Sequence, residues 1–247
     1  MDRLIYNSLS ALKGAAAKQA ATANNLANAA TPGFKADLSE AQALWLRGQG
    51  FESRAPTSQE VLSADLRAGV VVSTGRALDV AIDNDALFAV QSPEGEEAYT
   101  RRGDFQLSDS GLLTTGDGRP VLGPQGPITL PPADSVSIDP QGRISIVPIG
   151  GDPAEPQQVD RLKLVTPAGI GATKGLDGLF RATTGDALPT DPDARVSTGH
   201  LESSNVSSTQ ALVDMIEASR AWDVQLKLLG DVRDLDTSTS QLMNLNQ

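Results

Sequence analysis

The chain has no cysteine and a single histidine. Without cysteine there is no disulfide framework, no thiolate nucleophile and no sulfur-rich metal site. The histidine, His200, stands between Gly199 and Leu201 with no nucleophile beside it, so an acyl-transfer triad has no support. Aromatic residues make up only 4% of the chain, too few for a platform that stacks nucleic-acid bases. The formal net charge of −11 argues against a nucleic-acid or anionic-membrane partner. The longest uncharged run, Gln19 to Phe34, is 16 residues and contains Asn and Pro, so no direct membrane insertion is expected. No secretory leader is expected either: Arg3 is offset by Asp2, and Asn and Ser interrupt the first apolar runs.

Short motifs add no chemistry. Gly169-Ile170-Gly171-Ala172-Thr173-Lys174-Gly175 is glycine-rich, but no Ser or Thr follows the lysine as a phosphate loop requires. The acid pairs Asp83/Asp85 and Asp191/Asp193 lack the spacing of a calcium loop and read as turn caps. Asn205-Val206-Ser207 matches a glycosylation acceptor, a match common by chance. No catalytic residue, cofactor or metal ligand is nominated.

What is present is architecture. Residues Ile5, Leu9, Leu12, Ala16, Gln19, Ala23 and Leu26 step by 4 and 3 in alternation, a heptad-type seam on an Ala-rich helix. Asn24, Asn25 and Asn28 crowd its end, and Thr31-Pro32-Gly33-Phe34 stops it. The residue before Pro avoids the α region, Pro cannot extend the ladder, and Gly turns the chain. A helix so poor in large side chains is marginal alone, so the arm should fray in the isolated chain and be ordered by partners. Residues 36–68 read as a linker with some structure, punctuated by Gly48-Gln49-Gly50 and Pro56-Thr57-Ser58.

From Gly69 the period becomes two, and strands are expected near 70–72, 78–82, 87–90, 98–101, 105–107, 112–115, 121–122, 128–130, 136–138, 144–147 and 162–165. Turn signals recur at the spacing of an irregular β-sandwich or barrel. Ser207 and Gln210 have capping-box spacing and open a final helix. Along it Leu212, Met215, Ser219, Trp222, Leu226 and Leu229 form one seam, while Val224, Leu228, Leu235 and Leu242 form a second on a neighbouring face. A helix with two apolar seams wants more than one partner. The expected fold is α+β: an all-β central domain over 69–195, flanked by an N-terminal arm (1–35) and a C-terminal arm (196–247) that pair in a coiled-coil-like way.

Five ordered blocks carry a resemblance. They are Asn24-Asn25-Leu26-Ala27-Asn28 with Thr31-Pro32-Gly33-Phe34-Lys35; Gly75-Arg76-Ala77-Leu78-Asp79-Val80-Ala81-Ile82; Tyr99-Thr100-Arg101-Arg102-Gly103-Asp104-Phe105 with Gly111-Leu112-Leu113; Leu201-Glu202-Ser203-Ser204-Asn205-Val206; and Met215-Ile216-Glu217-Ala218-Ser219-Arg220-Ala221-Trp222. In this order they resemble the bacterial flagellar basal-body rod and hook family, and the opening Met1-Asp2-Arg3-Leu4-Ile5-Tyr6 is most similar to its proximal-rod members. One departure is Asp85-Ala86-Leu87-Phe88, where the family usually has Gly-Phe-Phe.

The resemblance implies a structural, non-enzymatic subunit of a hollow periplasmic rod. It implies delivery by the flagellar type III export apparatus and helical assembly with other proximal-rod and distal-rod subunits. It implies that the terminal helices form the inner tube. The assembly interface is then expected at Ile5, Leu9, Leu12, Leu26, Leu212, Met215, Trp222, Leu226 and Leu229. Asn24, Asn25, Asn28 and Asn205 are expected to satisfy backbone groups at crowded helix ends. Two alternatives stand beside this reading: a distal-rod or hook-type subunit, and a secreted β-rich binding or carbohydrate-active domain with oligomerising helical ends.

Overall fold

A computed structural model describes residues 2–43, 57–167, 171–175 and 177–244. Two long helices bracket a set of short strands. Helix α1 covers Asp2–Ala27, and Asn-rich positions followed by Thr31-Pro32-Gly33 end it as the backbone rules require. Gly33 adopts φ +66°, the left-handed conformation that glycine takes without a Cβ penalty. Helix α2 covers Ser208–Asn244. Its first turn is capped by Ser207, whose Oγ accepts from the Gln210 amide at 3.4 Å.

The strands follow in chain order: β1 Asp37–Ala43, β2 Thr57–Ala64, β3 Val71–Ser73, β4 Val80–Ile82, β5 Leu87–Gln91, β6 Glu97–Thr100, β7 Phe105–Leu107, β8 Leu113–Thr115, β9 Leu122–Gly123 and β10 Gly126–Pro127. Then come β11 Ala133–Ile138, β12 Arg143–Pro148, β13 Gln157–Arg161, β14 Leu164–Val165, β15 Ala172–Lys174, β16 Phe180–Ala182, β17 Val196–Thr198 and β18 His200–Glu202.

The chain divides into two compact units. Unit 1 comprises Met1–Ala27, Asp37–Ser63 and Ser207–Gln247; unit 2 comprises Asn28–Ala36 and Ala64–Val206. In unit 1, α1 packs along α2 and touches β1, and β1 pairs with β2 in a two-stranded ribbon. The sequence positions Leu44, Trp45, Gly48-Gln49-Gly50 and Pro56 lie outside the described residues.

Unit 2 holds a five-stranded sheet in the order β14-β5-β6-β16-β15 and a three-stranded meander, β11-β12-β13. Four further pairs complete it: β3 with β18, β4 with β17, β7 with β8, and β9 with β10. Among the described residues the strand pairs of unit 2 are antiparallel, and short turns join the successive ones such as β5-β6, β7-β8 and β11-β12. The main core gathers Val80, Phe88, Phe105, Leu113, Ile128 and Ile144, each fully buried. Phe88 and Phe105 meet edge to face at 5.0 Å. A second core lies around Leu87, Tyr99, Val165 and Phe180.

The two central sequence blocks lie side by side here. The Val80 amide donates to the Gly103 carbonyl at 2.9 Å, and the Phe105 amide donates to Leu78 at 3.1 Å. A Cβ on residue 103 would overlap the Val80 carbonyl, so the strands touch this closely only through glycine. The architecture is thus α+β, two helices with a mostly β central domain.

Candidate functional site

Two features stand out, one in each unit. In α2 the buried positions are small. Ala211 and Ala218 are 5% and 3% exposed, and Met215, Trp222, Gln225 and Leu229 are half-buried. These positions step 4, 3, 4, 3, 4. In α1, Gly14, Ala21 and Thr22 are buried. Helices that present Ala and Gly to a neighbour can approach closely, at the cost of little apolar area per contact.

Six large aliphatic side chains of α2 point elsewhere. Leu212, Val213, Ile216, Val224, Leu226 and Leu228 are all between 45% and 57% exposed. Among the residues expected at an interface, Leu9, Leu212 and Leu226 are exposed, whereas Leu12, Leu26, Met215, Trp222 and Leu229 are half-buried. The side chain of Ile5 lies outside the described residues.

The asparagines of unit 1 bond backbone and neighbouring side chains. Asn25 brackets Asp37: its Oδ1 accepts from the Asp37 amide at 2.7 Å and its Nδ2 donates to the Asp37 carbonyl at 3.0 Å. Asn24 Nδ2 donates to the Asp37 carboxylate.

Unit 2 contains a buried ionic knot that joins three of the sequence blocks. Glu202 Oε1 accepts from Lys35 Nζ at 2.6 Å and from the Gly69 amide at 2.8 Å. Its Oε2 accepts from Arg101 Nε at 2.8 Å. The side chains of Lys35, Glu202 and Arg101 are 1%, 2% and 5% exposed. Burying charge is costly unless every lone pair and proton is engaged. Here each charge has several partners: Lys35 also donates to the Arg67 carbonyl at 2.7 Å, and Arg101 Nη1 donates to the carbonyls of Ala86 (2.7 Å) and Asn84. Burial pulls the Lys35 ammonium below its ordinary 10.5, and Glu202 works against that shift.

The Pro32-Gly33-Phe34 turn is part of the same knot. The Gly33 amide donates to the Glu202 carbonyl at 2.7 Å. Phe34 lies beneath Lys174, whose Nζ is 3.8 Å from the ring centroid and donates to the Lys35 carbonyl at 2.7 Å. Asn28 Oδ1 accepts from Thr31 Oγ1 at 3.2 Å. Asn205 is the hub on the other side. Its Oδ1 accepts from the Ala36 amide at 2.8 Å, and its Nδ2 donates to the carbonyls of Asp65 (2.7 Å) and Arg67 (3.1 Å).

A cleft of about 460 Å³ opens beside the knot, lined in part by Lys35, Leu66, Arg67, Leu87 and Arg101. Its cations are already engaged, Lys35 and Arg101 by Glu202 and Arg67 by Asp65, so the cleft offers no free charge for an anion. His200 Nδ1 contacts the Thr198 carbonyl at 2.8 Å within a strand pair. Asp191 caps its turn, its Oδ1 accepting from the Asp193 amide at 2.9 Å, whereas Asp83 accepts from Ser197 Oγ on β17 at 2.6 Å. Among the described residues no helix is long and apolar enough to cross a membrane, and no three His, Cys, Asp or Glu groups cluster as metal ligands would.

Sequence reasoning on single segments does not find the Lys35–Glu202 pair, which spans 167 positions. The available signal is weaker: each of the three quoted blocks contributes one charged member, Lys35, Arg101 and Glu202.

Comparison with known proteins bears on both features. Three family models match: "Flagella basal body rod protein" over residues 5–35, "Flagellar hook protein FlgE/F/G D1 domain" over 81–146, and "Flagellar basal body rod FlgEFG protein C-terminal" over 197–242. Over the full length of both chains, the protein is 39% identical to the flagellar basal-body rod protein FlgF of Escherichia coli and 37% identical to that of Salmonella typhimurium. It is 30% identical to the flagellar basal-body rod protein FlgG of Bacillus subtilis, again over 100% of each chain. The chain belongs to the flagellar basal-body rod family and, within it, is most like FlgF.

Proposed function

We propose that the chain is a structural subunit of the proximal part of the flagellar rod, assembling helically through α1 and α2 with other copies and with neighbouring rod subunits. The exposed aliphatic face of α2 carries this reading. Six large apolar side chains along one helix, each about half exposed, are an unfilled packing surface. The in-chain face buries Ala211 and Ala218 and half-buries Met215, Trp222 and Leu229, which leaves Leu212, Val213, Ile216, Val224, Leu226 and Leu228 for neighbours. Knobs-into-holes contacts between terminal helices of adjacent subunits would bury them in a continuous tube wall. A hollow tube of this kind transmits torque and leaves a channel for export. Delivery by the export apparatus belongs to the same reading.

The test is complementation of a host lacking its own copy. Full-length protein restores motility and rods in purified basal bodies; Leu226→Asp restores neither, although the protein is made and unit 2 folds. Swimming by the uncomplemented deletion strain, with normal basal bodies, would overturn the rod reading. Rods built from Leu226→Asp would overturn the role given to this face.

A further inference from the structure

The chain passes between its two units four times, at 27/28, 36/37, 63/64 and 206/207. Any force carried covalently between the helices and the β domain runs through these four crossings. Inside unit 2 they open onto three short segments: 28–36, which joins the first two crossings, 64–69 after the third and 202–206 before the fourth. All three are tied together. The Gly33 amide holds the Glu202 carbonyl, and the Asp65 amide donates to the Ala36 carbonyl at 2.8 Å. The Asn205 amide donates to the Phe34 carbonyl at 3.2 Å. The Asn205 side chain spans Ala36, Asp65 and Arg67, and Glu202 spans Lys35 and Gly69.

We infer that Asn205 and Glu202 form a staple that makes the four crossings one mechanical body, so that load on any one segment is shared by all. They are positioning residues, acting through the segments they join. Without these two side chains the segments would be joined only by the few backbone bonds between them, Gly33 to Glu202, Asp65 to Ala36 and Asn205 to Phe34, and a pull on one would load the others far less. Asn is suited to the role. Its side-chain amide offers one acceptor and two donors to three backbone groups, which neither a carboxylate nor a hydroxyl matches. The load-bearing aspect rests on the rod reading above; the staple itself does not.

Hydrogen exchange on the purified full-length protein tests the staple. Asn205→Ala removes the acceptor of the Ala36 amide and should speed exchange in 33–36 and 64–69 at least about ten-fold. Peptides covering β5, β6 and β12 should be unchanged. Uniform acceleration across unit 2, or none in the two tied segments, overturns the assignment. The load aspect is tested in a motile host lacking its own copy, in media of rising viscosity. The control is Ile144→Val, a truncation of the main core remote from the crossings. Swimming speed with Asn205→Ala should fall more steeply with viscosity than speed with Ile144→Val. Parallel curves would overturn the load role. Failure of the rod reading looks different, because the deletion strain would then swim with no copy at all and the exchange pattern would still stand.

Discussion

Unit 1 and unit 2 place the same residue types in opposite environments. In unit 2 Val80, Phe88, Leu113, Ile128 and Ile144 are fully buried, and the charges inside are engaged in pairs. Among the described side chains of α2 the buried positions are Ala211 and Ala218, while Ile216 and Val224 are 55% and 57% exposed. Unit 2 packs the large aliphatics of its core inside, while Val70, Val71, Val72 and Ile149 on its periphery are 48% to 72% exposed. A helix whose large aliphatics face outward has its principal packing still to make. On the proposed assembly, the difference separates a core packed within the chain from a helical surface left for neighbours.

Substitutions that probe this difference fall in order of size. Phe88→Ala removes an aromatic ring from the main core and its edge-to-face partner Phe105, and should destabilise unit 2 by about 3–5 kcal/mol in chemical denaturation. Glu202→Gln leaves Lys35 and Arg101 buried without a countercharge, and should destabilise by a comparable amount, about 3–5 kcal/mol. If Glu202→Gln costs under about 1 kcal/mol, the knot is no part of unit 2's stability.

Tyr99 gives a smaller effect with a pH signature. Burial pushes its phenol from 10.0 up to about 12, and its OH both donates to Glu97 at 2.9 Å and accepts from the Leu188 amide at 2.6 Å. The folded state holds this proton more tightly than the unfolded chain does. The contribution is therefore full below pH 10 and is lost as pH rises through about 12. Tyr99→Phe should flatten that alkaline slope and cost about 1–2 kcal/mol at neutral pH by stranding the Leu188 amide.

The acid limb has the reverse sign. Asp139 and Asp177 are held below 3.8, hydrogen bonds from Arg143 and Arg181 outweighing the burial that opposes them. Their contribution is present above 3.8 and is lost as pH falls below it, which a thermal-unfolding series in acid would show. The smallest effect belongs to unit 1: Leu228→Ala should change monomer stability by less than about 0.5 kcal/mol, because the side chain is already about half exposed.

Local signals made much of this fold legible. The α1 stop follows from Thr31-Pro32-Gly33, and the α2 start follows from Ser207 and Gln210. The period-two runs at 87–90, 105–107 and 144–147 lie on β5, β7 and β12. The two faces of α2 were visible as two apolar seams, but not which one is turned inward. Counting large side chains selects Leu212 and Leu226, whereas burial falls one residue away, on Ala211, Ala218 and Gln225. Hydrophobicity ranks leucine above alanine; close helix approach ranks them the other way. The strands Asp37–Ala43 and Thr57–Ala64 were also hidden, since Asp37-Leu38-Ser39-Glu40 and Thr57-Ser58-Gln59-Glu60 carry few of the residues that favour strands. The ionic knot was least legible, because nothing local relates Lys35, Arg101 and Glu202.

The most direct test of the central claim introduces a charge on the exposed face and reads both units at once. For Leu226→Asp, the melting temperature of unit 2 should stay within about 2 °C of wild type, since the change lies outside its core. The same variant should give basal bodies without a complete rod. Intact rods, or a collapse of unit 2, would contradict the account.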